Sequence, residues 1–118
     1  MDVKQAVMAF SQSEKIKSGI VWVSHVLGRM IDLQFQERQG AEKVISLIVG
    51  MIAQEIHLAK TLTEDAQWDE IDRAFDQSLV MINSGVGPES ITQLTRVLSM
   101  VTNIGQRSMT MLKDNDLL

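Results

Sequence analysis

Three side chains of this sequence stand out as candidates for acid–base chemistry or metal binding: Glu55, His25 and His57. Glu55 lies within residues 44–59, the most apolar stretch of the chain, where a carboxylate is expected either to have a raised pKa or to bind a basic partner. His25 and His57 are the only histidines, and antiparallel packing of their helices would bring them to one groove. These three residues form a candidate site for a metal ion or a small molecule inside a helical bundle.

Ordinary structural roles explain the same residues more simply. Structural ion pairs perturb carboxylates as readily as functional sites do, and three basic residues are conceivable partners of the carboxylate: Arg29, Arg96 and Arg107. Diiron bundles use Glu-x-x-His pairs, whereas Glu55 and His57 are two residues apart and so lie on different helix faces. We therefore expect no metal and no cofactor, and interpret the eight methionines as core residues.

Motifs of the common enzyme classes are absent from the sequence. There is no glycine-rich phosphate loop, no nucleophile elbow, no zinc-binding histidine pair and no cysteine. With two histidines and no tyrosine or cysteine, the inventory for acid–base catalysis is thin. We assign no catalytic residues and favour a protein that is not an enzyme.

The acidic residues are concentrated between residues 64 and 76, where six acids accompany a single base. Four aspartates recur at steps of four, three and four, so that they share one helix face: Asp65, Asp69, Asp72 and Asp76. With Trp68 at its edge, this face is a candidate surface for a partner protein with a basic surface. A solvated helix face is the ordinary alternative. The net charge of −4 argues against a nucleic-acid partner.

Residues 44–59 also predict assembly, because only four of their side chains are polar: Ser46, Gln54, Glu55 and His57. A helix this apolar leaves surface uncovered after one core is filled, and two-fold association is the usual way to cover it. The predicted oligomer interface consists of Val44, Ile45, Ile48, Val49, Ile52 and Ile56. The uncharged run of residues 44–54 is shorter than the ~20 residues of a membrane span, so no span is expected.

The elements that carry these residues follow from capping and glycine signals in the first half of the chain. The apolar periodicity breaks at residues 11–13, which predicts either a short extra N-terminal helix or one bent helix. The first long helix is predicted over residues 14–38, ended by Gly40. The second helix then begins at Ala41 after almost no loop, so the two should form a helical hairpin.

The second half of the chain predicts two further helices. Thr63 is placed to cap the third helix, with acidic residues in its first turn. Residues 83–87 form the clearest turn signal, and Pro88 follows where a first helical residue belongs. The fourth helix is predicted to reach Lys113, with residues 114–118 frayed.

These elements predict one all-α domain, residues 1–118, folded as an antiparallel four-helix bundle and packed as a homodimer. A dimer of helical hairpins that share one core is the alternative arrangement. The absence of cysteine and of a secretory signal pattern favours the cytoplasm. The expected function is protein–protein interaction, as an adaptor or chaperone-like module. The alternative is a bundle that binds a metal or small molecule through Glu55 and His25 or His57.

Overall fold

The computed structural model describes residues 1–118, and all of its regular structure is helical. The four helices are α1 (Val3–Arg29), α2 (Phe35–Thr63), α3 (Gln67–Asn83) and α4 (Ile91–Asp114). Single 3-10 turns, Met30–Asp32 and Pro88–Ser90, follow α1 and precede α4. Each helix packs against two others, with α1 and α3 both contacting α2 and α4. The predicted all-helical fold of four packed helices is confirmed.

Neighbouring helices run antiparallel, as the order of their contacts shows. Gln12 of α1 binds Glu55 of α2, whereas the later Gly19 lies against the earlier Ile52. The other neighbouring helices show the same reversed order. Helices α2 and α3 make the contacts Lys60–Asp69 and Ser46–Asn83, and helices α3 and α4 make the contacts Gln93–Gln77 and Arg107–Gln67. Helices α1 and α4 make the contacts Ser13–Gly105 and Gly28–Ile91. The short connections between consecutive helices permit only this up-and-down arrangement.

The core is aliphatic apart from two buried aromatic rings, those of Trp68 and Phe75. Isoleucine, valine and leucine side chains from all four helices surround these rings. Of the eight methionines, Met30 alone is fully buried, and Met51 on α2 is largely exposed. Five others are half-buried, and Met1 and Met51 are exposed, so the interpretation of the methionines as core residues is wrong for those two.

Helix α1 is continuous through residues 11–13, so the short extra N-terminal helix is wrong and the single-helix alternative is confirmed. Two polar residues that interrupt the apolar periodicity are satisfied inside the fold. Ser13 is buried and donates its hydroxyl hydrogen bond to the carbonyl of Ala9. Gln12 reaches across to α2. A polar residue on the inner face does not break a helix when the neighbouring helix supplies its partner.

The junction between α1 and α2 lies before Gly40, which is inside α2 and exposed. The predicted helix end at Gly40 is therefore wrong. Helix α2 begins instead after Gln34, whose backbone N–H donates to the carboxylate of Glu37 at 3.1 Å, as in one half of a capping box. The guanidinium of Arg38 donates a hydrogen bond to the backbone carbonyl of Leu33, at 3.4 Å. This bond links the first turns of α2 to the segment that connects α1 and α2.

The connection between α2 and α3 also differs from the prediction. Thr63 is the last residue of α2 and donates its hydroxyl to the carbonyl of Ala59, so it does not cap α3. Glu64 reverses the chain with a φ of 54°. The carboxylate of Asp65 then accepts a hydrogen bond from the backbone N–H of Gln67 at 2.9 Å, at the start of α3.

The turn before α4 is confirmed. Gly85 has a φ of 83°, a conformation that other residues rarely adopt. Pro88 opens the 3-10 turn that leads into α4, as its fixed φ and missing N–H favour. Helix α4 then continues to Asp114.

Candidate functional site

An apolar groove runs between α1 and α2 on the outside of the bundle. It encloses a cavity volume of about 460 Å³. Its floor is formed by core residues such as Ile45 and Ile52, and its rims by Trp22 and Val26 of α1 and by Ile48 and Met51 of α2. The polar end of the groove is closed by the Lys15–Glu55 ion pair described below.

The α2 rim belongs to a longer line of residues, spaced alternately four and three apart, that follows one side of the helix. We name this line the α2 stripe: Val44, Ile48, Met51, Glu55, Leu58 and Leu62. Its five apolar members are all exposed, although alternating spacings of four and three are typical of a helix seam that packs against another helix. Glu55 is the only polar member of the stripe.

The exposed apolar surface extends from the α2 stripe to three neighbouring side chains: Trp22, Val26 and Leu47. We name the α2 stripe and these three residues the α1–α2 face. Trp22 and Leu47 are each 72% exposed. A face with eight exposed apolar side chains needs an explanation.

The predicted oligomer interface is divided by the fold. Val44 and Ile48 lie on the exposed α2 stripe. The other four predicted interface residues are buried within the bundle: Ile45, Val49, Ile52 and Ile56. They are unavailable to a second chain because α1 and α3 already cover them. The predicted interface omitted three exposed residues of the α2 stripe: Met51, Leu58 and Leu62. The only sequence signal for them was the alternating spacing of four and three.

Glu55 lies at the polar end of the groove, with its side chain 29% exposed. Its carboxylate accepts hydrogen bonds from Gln12 Nε2 and Lys15 Nζ, both at 2.9 Å. These two donors, Gln12 first, hold the pKa of Glu55 below its ordinary value of 4.5 and outweigh the opposing effect of burial. Of the two expected alternatives, the raised pKa is therefore wrong and the basic partner is confirmed. That partner is Lys15, not Arg29, Arg96 or Arg107.

The two histidines do not join Glu55. His57 places Nδ1 at 3.3 Å from Asp72 Oδ2 of α3, on the side of α2 away from α1. His25 is exposed and forms no hydrogen bond or ion pair. No three histidine, aspartate or glutamate side chains lie together in a way that would hold a metal ion. The three candidate residues thus occupy three separate places in the fold.

The acidic face of α3 is largely paired within the chain. Lys60 Nζ lies 3.1 Å from Asp69 Oδ1 and 3.4 Å from Asp72 Oδ2, and these two carboxylates, Asp69 first, raise the pKa of Lys60. Arg107 of α4 pairs with Asp65 at 3.0 Å. Asp76 forms no ion pair and is exposed.

Trp68 does not belong to the acidic face, because its side chain is 0% exposed. Its position one turn before Asp72 brought it close to the aspartates in sequence. The apolar stripe of α3 turns Trp68 inward, with Ile71 and Phe75, to the centre of the core. The proposed exposed tryptophan of a partner-binding face is therefore wrong, and Trp22 is the exposed tryptophan of this protein.

Helix α2 is long and apolar enough to cross a membrane, judged by length and composition alone. The expectation of no span rested on the uncharged run of residues 44–54 alone. The apolar sequence continues beyond Glu55, so a single charge does not end the apolar segment. Of its most apolar window, 28% is buried inside the bundle. A single helix that meets these criteria is weak evidence for a membrane segment.

The chain was compared with models of protein families, with curated proteins and with solved structures, and none of the three comparisons found a match. The case for a function therefore rests on the geometry of the chain itself.

Proposed function

We propose that this protein is a non-enzymatic protein-interaction module, an adaptor or chaperone-like domain, that acts as a homodimer through the α1–α2 face. The single observation that carries the proposal is that eight of the sixteen exposed large hydrophobic side chains lie on that one face.

The residue types of the face support an interface. Trp22 and Met51, which are 72% and 65% exposed, belong to the types enriched in interfaces. An exposed tryptophan beside a groove resembles the anchors that contribute most of the binding energy in known complexes. The fold of a single chain gains little from leaving these side chains in water, so their burial by a second chain would be favourable.

A second partner with a basic surface would bind the outer side of α3. Glu70 and Asp76 are exposed there and form no ion pair, and Arg73 is the only base near them. Such a contact would steer encounter more than it would stabilise the complex, and it would weaken with rising salt. The cytoplasm, where a chain without cysteine is at no disadvantage, is the proposed location.

The alternative function, binding of a small molecule, is supported by the groove itself. Its volume of about 460 Å³ falls in the size range of ligand pockets. Lys15 and Glu55 at its end would orient a polar group of the ligand. The histidines lie elsewhere and would take no part.

Light scattering coupled to size exclusion tests the dimer directly. We expect a dimer mass down to about 1 µM. Met51→Glu should yield a monomer with unchanged helix content. Val80→Glu is the matched control, because Val80 on α3 is 64% exposed and Met51 is 65% exposed. A monomeric wild-type protein at about 100 µM would rule out the dimer, and native mass spectrometry showing a bound small molecule would favour the alternative.

A further inference from the structure

We draw no further inference here: the strongest candidate, the apolar groove between α1 and α2 with the exposed α2 stripe along its rim, carries none because nothing in the structure shows what covers it.

Discussion

Glu55 of α2 and Lys15 of α1 form an ion pair, with 2.9 Å between Oε1 and Nζ, at the end of an otherwise apolar groove. The pair joins two helices whose contacts are elsewhere almost wholly apolar. Glu55 is the one polar member of the α2 stripe, and the other members of the stripe are apolar. The behaviour of Glu55 therefore reports on the stability of the single chain.

The pH dependence of stability should contain a contribution from Glu55. Because its folded-state pKa is lowered from 4.5, Glu55 stabilises the fold above that value, and the contribution is lost as the pH falls through the lower folded-state pKa. For a partly exposed pair the effect is about 0.5–1 kcal/mol. Urea unfolding of wild type and Glu55→Gln should show a difference at pH 7 that disappears in acid. A difference that is unchanged between pH 7 and acid would contradict this account.

Lys60 should contribute at the opposite end of the pH scale. Its folded-state pKa is raised above 10.5 by Asp69 and then Asp72, so its contribution is present below that value and is lost as the pH rises through the higher folded-state pKa. The thermal midpoint of Lys60→Met should approach that of wild type at strongly alkaline pH. Lys43→Met, which removes an exposed lysine without an ion pair, should give a difference that does not depend on pH in this way.

The two tryptophans should respond oppositely to substitution. Trp68→Ala removes a fully buried ring and should lower the free energy of unfolding by about 3–5 kcal/mol. Trp22→Ala should leave the stability of the monomer within about 0.5 kcal/mol of wild type, since its ring is mostly exposed. Each substitution is introduced into the Met51→Glu variant, at concentrations where that variant is monomeric. Chemical denaturation then measures the free energy of unfolding of the two double variants. Equal losses for the two variants would show that Trp22 is not at the surface.

Gly40 provides a test of the helix junction. It lies within α2, is exposed, and has open space where a Cβ would be, so Gly40→Ala should stabilise the protein by about 0.5–1 kcal/mol. Gly85→Ala is the contrasting variant, because the φ of 83° at Gly85 should make it destabilising. If Gly40 were instead the end of a helix, Gly40→Ala would lower the thermal midpoint rather than raise it.

Local signals in the sequence located several elements correctly. The turn at residues 83–87 and Pro88 were predictable because glycine readily adopts the positive φ that a turn requires and proline fixes its own φ, whatever surrounds them. The break between α1 and α2 was misplaced because Gly40 is permissive, not obligatory, as a helix end. The hydrogen bond from the Gln34 backbone to Glu37 uses a side chain that is common throughout helices, so its signal is weak.

The apolar pattern by itself determined that this chain forms four amphipathic helices and that α2 has more apolar surface than one core requires, because a periodicity of 3.6 residues assigns side chains to faces without reference to other helices. Only the tertiary structure decided which of those faces are covered. The neighbours of α2 bury Ile45 and Val49 and leave Ile48 and Met51 in water. The packing of α1 likewise gives Glu55 its partners, since Gln12 and Lys15 are more than thirty residues away and no local rule brings them together.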